Sequence, residues 1–184
     1  LNPNLTASQN LQNIFKKYNK LKNTLVACSK QKEELISALN YFESLFYEIH
    51  TQKYIEDLEE IKLELIEQGI IKKVSKKQKD MPSKPLEFDV SNYKVLIGKN
   101  NIQNDKLTFH IASKTDIWFH VKNAPGSHTI LRLNNIDIDN VSYETLNQVA
   151  SLAAYHSKLK NSPKVEVDYT LVKNVKKIPG AKPG

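Results

Sequence analysis

The stretch Asp116-Ile117-Trp118-Phe119-His120-Val121-Lys122-Asn123-Ala124-Pro125-Gly126-Ser127-His128 holds the only Trp, two of the five His and one of the five Gly. Three chemistries use such residues. His120 and His128 could share a metal ion, but no acidic or cysteine ligand stands at a zinc-like spacing, and no His-x-x-x-His or His-Glu-x-x-His pattern occurs. Ser127 beside His128 could suggest a nucleophile with its base. A catalytic triad is a geometry that sequence neighbours rarely supply, however, and no nucleophile elbow surrounds this serine. A glycine-rich phosphate loop is also absent. The expectation is no metal, no cofactor, no catalytic residue and no enzyme. The third chemistry is phosphate and ribose contact by polar and basic groups at turns and strand ends. Its candidates are Lys99, Asn100, Asn101, His120, Lys122, Ser127, His128 and Lys173, the last opening a basic run to Lys177. Trp118, Pro125 and Gly126 read as structural residues, and His120 fits either role.

These candidates need a scaffold. Ile117 to Val121 alternates as a strand does. Asn123 to Ser127 reads as a turn, because proline presets one φ and glycine permits a positive one. His128 to Leu133 is the next strand. This strand–turn–strand corner is expected to bring His120, Lys122, Ser127 and His128 together. Phe88 to Val90 and Tyr93 to Ile97 read as strands flanking Ser91-Asn92, and Gly98 to Asn101 as a turn. Asn104 or Asp105 is read as the cap of a short helix through Ile111, in preference to a strand over Leu107 to Ile111. Tyr143 to Leu159 is an amphipathic helix, with Leu146, Val149, Ala150, Ala153 and Ala154 on one face. Val165 to Val172 alternates as a strand. Residues 86–184 are thus a small mixed α+β domain with a largely antiparallel sheet.

The N-terminal part reads differently. Thr6 and Gln9 have capping-box spacing at a helix start. A 3.5-residue apolar repeat follows. One seam position is Leu11, Tyr18, Leu25, Lys32, Leu39 and Phe46, and the other is Ile14, Leu21, Cys28, Leu35, Phe42 and Ile49. So narrow and regular a seam indicates a coiled coil. It would extend roughly 58 Å. A second helix, Ile55 to Gln68, carries Leu58, Ile61 and Leu65 in phase and stops at Gly69, but is too short to cover the first. The partner of the long helix is expected to be an upstream segment or a second copy of the chain. The organisation is therefore a helical arm over 1–69, a Lys- and Pro-containing linker over 70–85 and the α+β domain over 86–184.

At 184 residues the chain suits one or two domains. Its formal charge of +7 favours acidic partners. That charge is uneven: residues 1–69 are net −2, 70–84 net +5 and 85–184 net +4. A single cysteine excludes an internal disulfide framework and fits a reducing compartment. No run of about 18 apolar residues occurs, so no membrane partner is expected. A signal-peptide pattern is also absent, which points to the cytoplasm. The lack of an initiator Met and the abrupt end suggest a fragment.

Gly98-Lys99-Asn100-Asn101, Asn104-Asp105, Leu107-Thr108-Phe109 and Ile111-Ala112-Ser113-Lys114 running into the corner together resemble the NFACT-R domain. So do Asp168-Tyr169-Thr170-Leu171-Val172-Lys173 and Gly180 to Gly184. Asn10, Phe15 to Lys22 and Leu65 to Gly69 extend the resemblance to the arm. The chain resembles the second half of the RqcH branch of the NEMF family, whose bacterial members are also called fibronectin-binding proteins. The resemblance implies binding to obstructed large ribosomal subunits and to tRNA, and support of untemplated alanine tailing of stalled chains. The ribosome makes the peptide bond, so the protein itself is implied to be an RNA-binding scaffold. It also implies that the long helix is the returning strand of a coiled-coil arm directed at the ribosomal stalk base. The family's N-terminal domain, helix-hairpin-helix module and outgoing arm are missing from this sequence, and a further strand segment would follow Gly184. Self-association through the seam or an open sheet edge is the corresponding expectation. The alternative readings are a fibronectin-binding adhesin, reaching the cell surface by non-standard export, and a dimerising coiled-coil module.

Overall fold

The computed structural model describes residues 1–52, 54–72, 83–134 and 136–184. Helix α1 spans Ala7–Thr51 and α2 spans Ile55–Glu67. Strands β1 (Leu86–Val90) and β2 (Tyr93–Ile97) follow, then α3 (Asn101–Lys106), which runs into a π-helical turn at Leu107–Ile111. Strands β3 (Ile117–Val121) and β4 (Thr129–Leu131), helix α4 (Tyr143–Tyr155) and β5 (Val167–Leu171) complete the fold, with short 3-10 turns at Ile138–Asn140 and Val172–Asn174. This is the expected α+β class.

The capping box opens α1 as read: Thr6 N donates to Gln9 Oε1 at 2.9 Å, and Gln9 N to Thr6 Oγ1 at 3.3 Å. Gly69 closes α2 at φ +70°, where Ile70 N donates to Leu65 O at 2.9 Å. The expected cap of the short helix is corrected. Asn100, not Asn104 or Asp105, accepts the Gln103 amide at 2.9 Å. The helix therefore begins inside the segment read as a turn, and Asn104 is freed for another contact. Helix α4 is shorter than read, because residues after Tyr155 leave the helix to pair Ser157 with Gly126, and β5 is also shorter than read.

The sheet has five strands in the order β1-β2-β4-β3-β5, every pairing antiparallel. Alternation gives it two apolar faces. Val95, Ile97, Ile117, Phe119 and Leu131 pack against Val149 and Ala153 of α4. Leu96 and Ile130 face the other way, onto Leu107 of the π-helical turn and Val172. Each large buried apolar side chain adds about 1.5–3 kcal/mol. Trp118, read as a structural residue, packs in this second layer half-buried, and its neighbour Phe119, 0% exposed, is fully enclosed on the other face.

The chain forms two compact units, Leu1–Asn40 and Tyr41–Gly184. The division falls within α1. The last turns of α1 and the whole of α2 belong with the sheet, because their polar faces are consumed by it. Within Leu1–Asn40, the seam residues Leu11, Ile14, Tyr18, Leu21, Leu25, Leu35 and Leu39 are all exposed. Phe42, Phe46 and Ile49 are exposed as well, although α2 lies against that part of α1. Helix α2 docks elsewhere, burying Ile61 on Tyr41 and Leu45. Most of the basic linker expected over 70–85 lies outside the described residues.

Candidate nucleic-acid interface

The β3–β4 register pairs Phe119 with Thr129, which sets His120 beside His128 across the corner. Their rings lie 5.5 Å apart, edge to face, and Trp118 completes a trio at 5.7 Å from His120 and 5.3 Å from His128. The corner turns at Asn123, whose φ is +57°, and not at Gly126. Gly126 is needed for space instead. A Cβ there would stand 2.8 Å from Val121 Cγ2 and 3.0 Å from Ser157 Cβ. Pro125 accepts Lys158 N at 2.9 Å, and Ser127 N donates to His156 O at 3.0 Å, so the corner is strapped to the end of α4.

His128 was expected to face a ligand and is corrected to a buried residue, 8% exposed. Its amide donates to Asn104 Oδ1 at 2.9 Å, its carbonyl accepts Gly98 N at 3.0 Å, and its Nδ1 meets Thr108 Oγ1 at 2.8 Å. Burial pushes its pKa down to about 3, and the neighbouring His120 adds to the effect. His120 is half-buried, and burial lowers its pKa against the opposing pull of Gly126, Val121 and Asp168. Both rings are neutral at pH 7, so neither supplies a phosphate-binding charge.

Lys99, Asn100 and Asn101 are corrected as well. Lys99 forms a largely buried ion pair with Asp57 of α2. Asn100 and Asn101 are 1% and 2% exposed. Asn100 Nδ2 donates to Glu60 Oε2 at 2.7 Å, and Asn101 Nδ2 to Ser44 Oγ at 3.1 Å and Glu64 Oε1 at 3.3 Å. Gln103 Nε2 also reaches Glu60 Oε2 at 2.6 Å, while Ser83 N caps Glu60 Oε1 at 2.8 Å. This amide-rich segment exists to satisfy the carboxylates that α2 buries against the sheet domain. The signal was present in the sequence: Asp57, Glu60 and Glu64 recur with the same helical spacing as Leu58, Ile61 and Leu65.

The remaining candidates stay at the surface. Lys122 is exposed and 3.5 Å from exposed Glu166, a pair of little energetic weight. Lys173 is exposed, and its amide donates to Lys114 O at 3.2 Å, so Lys114 and Lys173 stand together. Lys122 is elsewhere. The β3–β5 register pairs Ile117 with Leu171 and Val121 with Val167, which puts Lys122 and Lys173 beyond opposite ends of the strand pair, seven register positions or roughly 23 Å apart. Asp116, missed in the sequence, organises the Lys173 end. It is 1% exposed, accepts Leu133 N at 3.0 Å and Ser113 N at 2.8 Å, and lies 2.9 Å from the Nε of Arg132, the chain's only arginine. Among the described residues, no group of three or more His, Cys, Asp or Glu could hold a metal ion, and no helix is long and apolar enough to cross a membrane.

Residues 85–183 match the NFACT protein RNA binding domain, and residues 1–84 match the NFACT N-terminal and middle domains. The chain belongs to the NFACT family. Its relatives include the Rqc2 homolog RqcH of Bacillus subtilis, 39% identical over all of this chain and 32% of that protein. The Rqc2 homolog RqcH of Streptococcus suis is 40% identical over 98% of this chain, again 32% of the relative. The chain thus spans about a third of the length of the curated relatives it matches. Among solved structures, the C-terminal part of the fibronectin/fibrinogen-binding protein from Streptococcus suis superposes with a TM-score of 0.86 at 39% identity, covering 99% of this chain and 72% of that one. The match to the RNA binding domain covers the Lys122 corner and the Lys114–Lys173 end, while the buried joint lies where the two matched regions meet.

Proposed function

We propose that this chain is the RNA-binding part of a cytoplasmic ribosome quality control factor. In this reading it contacts tRNA and ribosomal RNA on obstructed large subunits and supports untemplated alanine tailing of stalled chains, as a scaffold and not as an enzyme. The observation that carries the reading is the match of the whole sheet domain to an RNA binding domain. Two separated exposed basic points, Lys122 and Lys114–Lys173, give that domain somewhere to meet a backbone. Points roughly 23 Å apart suit an extended polyanion better than one small anion. The exposed seam of α1 supports an arm that pairs with another helix in the longer protein.

The test is tRNA affinity as a function of salt. Binding should fall steeply between about 50 and 200 mM, because phosphate contacts release counterions. Reversing Lys122 and Lys173 together should lower the salt slope by about 1–2. A flat salt response would defeat the reading. A second reading, fibronectin binding, draws on the name of the structural relative and on the two open sheet edges, β1 and β5. A complex with fibronectin that resists physiological salt and excludes tRNA would favour it.

A further inference from the structure

The corner has an inner side that the basic points do not use. Between the last turns of α1 and the loops at Gly98–Lys99 and Pro125–Ser127 lies a cavity of about 300 Å³. That is the lower end of the size range of small-ligand sites. Tyr47 and Tyr54 supply aromatic walls, Leu86 and Pro125 apolar ones, and Ser127 lines the same space. Glu48 also lines it. Glu48 is 6% exposed, and its buried Oε2 has no hydrogen-bond partner among the described residues. A buried polar atom left in this way is costly, and a ligand that reaches it recovers that cost.

The other polar groups narrow the ligand. Lys99 is already held by Asp57, Asn104 Oδ1 by the His128 amide and Gln52 Nε2 by Lys99 O at 2.6 Å. Among the described residues the cavity therefore offers no uncommitted cation to a phosphate or carboxylate. Burial and the neighbouring Glu64 hold the Glu48 carboxyl well above the usual carboxylate range, which disfavours a cationic guest. What fits is flat, neutral, able to stack on tyrosine and able to hydrogen-bond at its edge.

We propose that this cavity takes one unpaired nucleobase of a bound RNA, stacked on Tyr47 and Tyr54 with its edge at Glu48 Oε2. The inference rests on the RNA-binding reading and adds a base-recognising site to its backbone contacts. It is tested by titrating the 184-residue chain with AMP, CMP, GMP, UMP and ribose 5-phosphate, following backbone and aromatic resonances by NMR, with tRNA affinity measured in parallel. At least one nucleotide should shift Tyr47, Tyr54, Ser127 and His156 together, and ribose 5-phosphate should not. Tyr54→Ala, at a 67% exposed position, should weaken that nucleotide about tenfold and leave the fold intact. Glu48→Gln should change the ranking of the four nucleotides. If no nucleotide shifts these residues while tRNA binds normally, the base site is wrong and the RNA reading stands. Equal shifts from ribose 5-phosphate would also overturn the base site. If neither nucleotide nor tRNA binds, both readings fall.

Discussion

Asn100 Nδ2 donates to Glu60 Oε2 at 2.7 Å, both side chains buried where α2 meets the loop before α3. Glu60 is the centre of a set, since Gln103 and Ser83 donate to the same carboxylate. Removing the acceptor strands several buried donors at once. Glu60→Ala should therefore cost about 3–5 kcal/mol in chemical denaturation, whereas Glu60→Gln, which keeps one acceptor oxygen, should cost less. Equal and small losses from both would show that this joint does not hold the unit together.

Gly98 tests the interlock behind the corner. A Cβ at this position would stand 2.2 Å from Asn104 Oδ1 and 3.0 Å from its backbone N. That Oδ1 holds the His128 amide, so the added methyl displaces the acceptor that starts β4. Gly98→Ala should cost about 1–3 kcal/mol by overpacking and lost hydrogen bonding. The His128 amide should also lose hydrogen-exchange protection. An unchanged exchange rate at His128 would separate the glycine from the strand.

His128 gives a pH dependence of defined sign. Its folded pKa of about 3 lies below the unfolded value of 6.5. Between the two the unfolded chain binds more protons. This group's contribution is thus fully present above pH 6.5 and is lost as pH falls toward 3, at about 1.4 kcal/mol per pH unit. Glu48 and Glu64, whose pKa values are raised by burial, act with the opposite sign in the acid range. The comparison must therefore be with His128→Asn, which shares those carboxyls. The stability difference between the two proteins should shrink as pH falls from 6.5. Parallel curves would show that His128 does not titrate in this way.

Lys99 separates the basic residues that fold the protein from those left for RNA. Sequence position alone groups Lys99 with Lys122, since both follow strand ends. In the structure Lys99 is committed to buried Asp57, and Lys122 pairs with exposed Glu166. Lys99→Glu should lower the denaturation midpoint strongly by setting two buried carboxylates together. Lys122→Glu should leave the midpoint nearly unchanged and weaken tRNA binding. The reverse pattern would exchange their roles.

Strands, the corner and the helix classes were legible because alternation, Pro-Gly chemistry and heptad spacing are local signals. What was not legible is pairwise. Asn100 and Asn101 look like loop surface until Glu60 and Glu64 arrive from 37–40 residues away. His128 looks like a ligand-facing histidine until Gly98 and Asn104 close over it. Polar residue types carry no mark of whether their partner is water or a distant carboxylate.

The end of α1 shows the same limit for apolar residues and permits a sharp contrast. Leu45 and Phe46 are neighbours in sequence. Leu45 is 3% exposed against Ile61, while Phe46 is 67% exposed although it occupies the coiled-coil seam. Sequence periodicity favours Phe46 as the packed residue, yet α2 uses the adjacent stripe of Tyr41 and Leu45 because its acidic face must meet Asn100 and Asn101. Leu45→Asp places a charge in that contact and should cost more than about 3 kcal/mol. Phe46→Asp should stay within about 0.5 kcal/mol for the isolated chain, since it removes no buried contact. Thermal denaturation of the two variants side by side decides the matter. Equal destabilisation would mean that the seam is covered in solution and that the 184-residue chain pairs its own long helix.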